Sequence, residues 1–232
     1  MSFVAGLILH VRPFLSGLWA AIAEPVETTG PIAPGRMREG AEHLVWTKQV
    51  DRCPRWILAF LDGTAGAPMV RVTHLRDLKF EGRFKASVDA SPWGIGGILQ
   101  DGAPRVVAKS HDRVSAEDIR LLGVQVGNPA FQTVLEGLAI LVALRVFGPR
   151  AMWKAGAMVS LVIRSDSKGA LGAAIKGGST TDPLLNQVGQ EISFDQACGD
   201  YRVELYEHTP GVANVGPDYL SRLHAPDAER RV

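Results

Sequence analysis

Four acidic residues stand where the surrounding chain gives them little structural reason to be. Asp89 closes the alternating segment RFKASVD and is followed by Ser91, Gly94, Gly96 and Gly97. Glu136 sits inside the apolar VLEGLAIL, Asp166 ends the apolar run SLVIRSD, and Asp218 lies beyond His208-Thr209-Pro210-Gly211. Singly, each has an ordinary reading. An Asp at a strand end serves as a turn residue or a helix N-cap. Glu136 is a helix-face residue, although Ile140 offers it no cation one turn on. Asp218 is an acid favoured by a helix dipole. Together they read differently, because clustered carboxylates repel and stay ionised in one cleft only beside compensating cations. Oxygen ligands select hard ions, Mg2+ or Mn2+, and a pair of these about 4 Å apart cleaves phosphodiesters by in-line attack.

The elements that would position these acids are legible from periodicity. RFKASVD, WGIGGILQ and PRVVAKS read as three short antiparallel strands, with Asp101-Gly102 as a hairpin signal. A polar loop runs to Gly127, and Pro129 to Phe147 then reads as a long helix with proline in its first turn. Met158 to Ile163 is a nearly continuous apolar run, as expected of a central strand buried on both faces. Helices over Lys168–Lys176 and Asp182–Cys198, a strand over Tyr201–Tyr206 and a last helix over Val215–Leu223 complete the order β-β-β-α-β-α-α-β-α. That order implies an α/β domain, a mixed sheet with helices on its faces. If the first and fourth strands are central neighbours, Asp89 and Asp166 meet, and Glu136 reaches them from a packed helix.

Upstream, Phe3 to Ala23 contains His10, Arg12 and Pro13 where a membrane span or signal would be uniformly apolar, and reads instead as an amphipathic helix with Val4, Leu7, Val11, Leu18 and Ile22 on one stripe. A Gly/Pro-rich linker, Glu24 to Gly40, separates it from an apolar segment over Ala41 to Phe60, and a mixed connector spans Asp62 to Asp77. The expectation is an intracellular protein, cytoplasmic or nuclear, with no membrane partner. Disorder is excluded by a 46% hydrophobic content at a net charge of +1. Cys53 and Cys198 do not make a disulfide scaffold in a chain this long. The balance of 25 Lys+Arg against 24 Asp+Glu argues at first against a basic nucleic-acid-binding module. Four of those acids are candidate metal ligands, however, so the neutrality describes only the metal-free chain, and nucleic-acid binding is expected to depend on metal.

The succession VDASPWGIGGIL, EGLAILVAL, IRSDSKGAL and HTPGVANVGPDYLSR resembles the ribonuclease H domain of retroelement reverse transcriptases, especially the gypsy-type LTR and tyrosine-recombinase retrotransposon groups. The last motif is the most specific of the four. The resemblance covers about residues 81–224 and implies a ribonuclease H-like fold, a five-stranded mixed sheet flanked by helices. Residues 1–80 resemble, more weakly, the helical connection or thumb-like segment preceding that domain, and 225–232 form a tail. Nothing like the Y-x-D-D polymerase carboxylates is present.

Carried over by position, the resemblance makes Asp89, Glu136, Asp166 and Asp218 ligands of two Mg2+ or Mn2+ ions and His208 a mobile group for proton transfer or product release. Ser91, Ser167 and Asn214 stand beside them, either supporting the carboxylates, contacting substrate 2′-hydroxyls, or serving as turn and cap residues. The implied activity is hydrolysis of the RNA strand of an RNA–DNA hybrid, with the hybrid and the polymerase portion of a reverse transcriptase as partners. The alternative is a catalytically silent ribonuclease H-like module that binds nucleic acid or acts as a structural platform. Two departures from the pattern are Pro217, where small Ala is common, and GGSTTD, which lacks the basic protrusion of cellular ribonucleases H.

Overall fold

The computed structural model describes residues 51–62, 83–155, 159–198 and 201–226, together with Leu15 and Thr64. The chain divides into two compact units, Met1–Arg71 and Val72–Val232. In the first, helix α1 spans Arg52–Leu61, with Arg55 paired to Asp51 across its first turn and Ile57 buried. Leu15 is helical and buried. The rest of the expected N-terminal helix, the Glu24–Gly40 linker and most of the 62–77 connector lie outside the described residues, as does the tail beyond residue 226.

The second unit is built on a sheet of order β3-β2-β1-β4-β5, comprising β1 (Arg83–Ala90), β2 (Gly94–Gln100), β3 (Val106–Arg113), β4 (Ser160–Ser165) and β5 (Arg202–His208). β1–β2 and β2–β3 pair antiparallel, while β1–β4 and β4–β5 pair parallel. This is the five-stranded mixed sheet expected from the sequence, three antiparallel strands followed by two parallel ones. Alternation carries β1, whose Phe84, Ala86 and Val88 are buried, and the consecutive Leu161, Val162 and Ile163 of β4 are all buried because both faces of that strand are covered. The β2–β3 connection is longer than a two-residue hairpin. Asp101 accepts hydrogen bonds from the backbone N–H groups of Ala103 and Arg105 and closes a broader turn beside a register shift at Leu99/Gln100.

Between β3 and β4 lie α2 (Ala116–Leu122), a 3-10 turn (Pro129–Phe131) and α3 (Gln132–Ala155). The sequence reads the α2 region as loop. Ser115 accepts from the Asp118 N–H while the Asp118 carboxylate accepts from the Ser115 N–H, a capping box that starts this short helix, and Gly123 ends it in the left-handed region. α3 continues past Phe147 and through Pro149 rather than stopping there. Val134, Leu135, Leu138, Ile140, Leu141, Leu144 and Phe147 bury it almost all round, between the sheet and α5 (Pro183–Cys198). Among the described residues, Pro129–Pro149 is the one stretch long and apolar enough to cross a membrane, and most of it is buried in this core. α4 (Lys168–Lys176) and α5 pack beside α3, and α6 (Val215–Ser221) with the 3-10 turn Arg222–His224 completes the unit.

Successive glycines of β2 admit a helix on each face. A Cβ on Gly96 would collide with Pro217 O, Ser221 N and Leu220 Cβ of α6, whereas one on Gly97 would meet Phe147 of α3. Asp89 is directly opposite Gly96, so its side chain points to the α6 face.

Candidate metal centre

β1 and β4 are parallel neighbours, and therefore their carboxyl ends lie on one edge of the sheet. Their register pairs Ser87 with Arg164, and two more residues along each strand bring Asp89 level with Asp166. β1 continues into β2 on one side and neighbours β4 on the other, which makes this edge the switch point of the topology, where α/β sheets form their clefts. Glu136 arrives at the end of β1 from the second turn of α3. Gln132, one turn earlier, donates to both the Ala90 carbonyl and Glu136 Oε1, fastening helix to strand end.

Asp89, Glu136 and Asp166 each present a carboxylate oxygen, all within 4.8 Å of one another. Asp89 is 4% exposed and Glu136 3%, and Asp166 is half-buried. Burial raises Asp89 to about 7, with the nearby charges of Asp166 and Asp218 adding to the rise and hydrogen bonds from Ser221 and Asn214 opposing it. Burial likewise raises Glu136 to about 9, reinforced by Asp89 and Asp166 and opposed by Gln132 and the Ala90 N–H. Ser221 Oγ donates to Asp89 Oδ2 at 2.7 Å, and Asn214 Nδ2 donates to Val88 O at 2.9 Å and Asp89 Oδ1 at 3.3 Å. Ser165 Oγ lies 3.4 Å from Glu136 Oε2. Asp166 follows β4, and a Cβ on Gly211 would lie 3.1 Å from its Oδ2, so a glycine leaves that carboxylate its space.

The other expected site residues fall around this core. Asp218 is near enough to raise the Asp89 pKa but is outside the three-carboxylate group, and its Oδ1 accepts from Arg222 Nε at 2.7 Å, one turn along α6. His208 is exposed at the end of β5, with Nε2 3.1 Å from the Asp166 carbonyl. Ser91 is buried. Its hydroxyl donates to Ser221 O at 2.7 Å and accepts from the Trp93 and Gly94 N–H groups, so it closes the β1–β2 turn and ties it to α6 instead of facing a substrate. Ser167 caps α4 through the Ala170 N–H. Asn214 supports Asp89 directly. Ser221, Gln132 and Ser165 are additional supports absent from the sequence reading. Gln132 could have been found as the residue one turn before Glu136, whereas Ser221 meets Asp89 only through the fold.

All three converging side chains are oxygen donors, and two of them carry raised pKa values that a divalent cation would reverse. The donor set therefore fits a hard divalent ion.

No family model matches the chain, and no curated protein matches it either. Solved structures similar to it include RNase H1 from the halophilic archaeon Halobacterium salinarum NRC-1, 21% identical, with a TM-score of 0.45 over 60% of this chain and 94% of that one. LC11-RNase H1 in complex with an RNA/DNA hybrid is 16% identical, with a TM-score of 0.45 over 60% and 92%. The foamy viral protease-reverse transcriptase in complex with an RNA/DNA hybrid is 12% identical, with a TM-score of 0.36 over 68% of this chain and 21% of that one.

Proposed function

We propose that residues 81–224 form a metal-dependent endonuclease that hydrolyses the RNA strand of RNA–DNA hybrids, and that the chain derives from a retroelement reverse transcriptase of the gypsy-type LTR or tyrosine-recombinase group. One observation carries the enzymatic reading: Asp89, Glu136 and Asp166 converge, largely buried, at the carboxyl ends of two parallel strands. The retroelement assignment rests on the ordered motifs ending in HTPGVANVGPDYLSR. In this reading residues 1–80 are the connection segment, and the polymerase portion of the parent protein is the natural partner.

Asp89, Glu136 and Asp166, with Asp218 alongside, would hold two Mg2+ or Mn2+ ions. When bound, such a pair acidifies a water and neutralises charge on the departing 3′ oxygen, leaving 5′-phosphate and 3′-hydroxyl ends. The protein's own contribution is orientation. Ser221 and Asn214 hold one oxygen each of Asp89, and Gln132 and Ser165 hold the two oxygens of Glu136, so neither carboxylate rotates freely. His208, exposed beside the Asp166 carbonyl, would pass a proton from solvent to the departing oxygen.

A second reading, the silent module, draws on the Asp218–Arg222 pair, which occupies the fourth carboxylate. The two separate in one assay. The full chain is incubated with a labelled hybrid and Mg2+ or Mn2+, beside Asp89→Asn. RNA-strand cleavage by the wild type and none by Asp89→Asn is expected. Absence of cleavage, or equal cleavage by both, overturns the enzyme, and hybrid binding without cleavage supports the platform.

A further inference from the structure

Two histidines from distant parts of the sequence face each other on the α6 side of the sheet. His111 lies on the edge strand β3, directly opposite Gly96 in the ladder. His224 ends the 3-10 turn that follows α6, with Cδ2 at 3.3 Å from where a Cβ on Gly94 would stand. Both are exposed, their ring centroids are 5.6 Å apart and tilted at 39°, and His111 Nδ1 faces His224 Nε2 at 3.5 Å. A direct N–H···N hydrogen bond accounts poorly for this separation, since such bonds cluster about half an ångström shorter.

The separation suits two nitrogens sharing an ion. With metal–nitrogen bonds of about 2.0–2.1 Å, nitrogens 3.5 Å apart subtend roughly 113–122°, close to a tetrahedral angle. Exposure lets water complete the coordination. Neutral imidazole prefers late first-row divalent ions, whereas Mg2+ prefers oxygen. We propose that His111 and His224 form a two-imidazole site for such an ion, Zn2+ foremost, distinct from the carboxylate centre.

Two features separate the sites and one connects them. Asp89, Gly96 and His111 form one row across three strands, so the sites stand about 10 Å apart by strand spacing. The carboxylates offer oxygen only, and the histidines nitrogen only. Ser221, which donates to Asp89, is three residues before His224. An ion joining His224 to His111 pins the end of α6 to the edge strand, and so steadies the residue that orients Asp89.

Cu2+, which binds imidazole more tightly than Zn2+, is the probe. The full chain in excess Mg2+ is titrated with Cu2+ and read by electron paramagnetic resonance, then back-titrated with Zn2+. One Cu2+ with two-nitrogen ligation is expected, displaced only by Zn2+ in large excess, with at least tenfold weaker binding in each of His111→Ala and His224→Ala. The four other histidines make those variants essential. His111→Gln, which keeps a polar side chain, should lose binding equally, and circular dichroism checks that each variant is folded. Binding unchanged in both alanine variants, or no nitrogen-ligated Cu2+ in the wild type, overturns the site. None of these readouts uses hybrid cleavage, so they stand or fall independently of the nuclease reading.

Discussion

Gly96→Ala tests whether the contact between β2 and α6 governs the site. A methyl group at this position would press on Pro217 O and lie 2.6 Å from Ser221 N and 2.7 Å from Leu220 Cβ. Two of those atoms are backbone and cannot swing aside, so α6 must move. Overpacking of this kind costs about 1–3 kcal/mol, which at about 2–4 °C per kcal/mol corresponds to a fall in Tm of roughly 2–12 °C. The moved element carries Asp218 and Ser221, so hybrid cleavage should fall as well, and raising Mg2+ should recover part of it. Gly172→Ala is the matched control. It lies inside α4 with nothing within 4 Å of its would-be Cβ, so it should gain up to about 1 kcal/mol from helix propensity alone. Chemical denaturation of the full-length variants measures both. Equal stability of Gly96→Ala and the wild type, or comparable losses in the two variants, would refute the steric account.

Ser221→Ala removes a buried donor to Asp89, and the Mg2+ concentration giving half-maximal cleavage should rise by about 10–100-fold, the usual effect of losing a support behind a metal ligand. A smaller change than twofold would assign the hydroxyl to α6 packing alone. Asp218→Asn should reduce cleavage less than Asp166→Asn does, since Asp218 is paired with Arg222 outside the three-carboxylate group; equal losses would restore it to the core of the site. Asp89 and Glu136 are raised to about 7 and about 9, so the folded metal-free protein holds protons that the unfolded chain releases near pH 4. Its stability should therefore fall as pH rises, through about 7 for Asp89 and on to about 9 for Glu136. Denaturation at pH 5 and pH 8 checks the sign, and Mg2+ should stabilise more at pH 8. Glu136→Gln should flatten the slope and be the more stable protein at pH 8, while losing cleavage; a slope unchanged by that substitution would contradict the assignment.

The strands were readable where alternation was strong, as in RFKASVD, and the first three carboxylates followed because each ends or interrupts an apolar pattern. α2 was not readable. It is a single short segment whose Ile119 and Leu121 point to solvent, so it carries no apolar stripe, and its capping box uses Asp where Glu or Gln is the usual partner. The reach of α3 past Phe147 was hidden by Pro149, a residue that ordinarily stops a helix. The sequence places Asp218 among the acids but does not show that it pairs with Arg222, four residues on, which is a contact of the folded α6. Ser221 and Ser91 meet their partners across about 130 residues, and no local pattern encodes such contacts.

α3 is the plainest case of a structure kept against its own stability. Its neighbours in the core are apolar on nearly every side, and a glutamine or leucine at 136 would avoid the cost of a carboxyl only 3% exposed. The chain instead retains Glu136 and surrounds it with Gln132, Ser165 and the Ala90 N–H, which partly stabilise its ionised form without offsetting burial. Asp89 is treated the same way by Ser221 and Asn214. Donors arranged around both buried acids orient the carboxylates, yet leave each with a raised pKa. That combination is poor design for a structural core and suited to a centre completed by a cation, because an arriving divalent charge lowers both pKa values and meets oxygens already aimed.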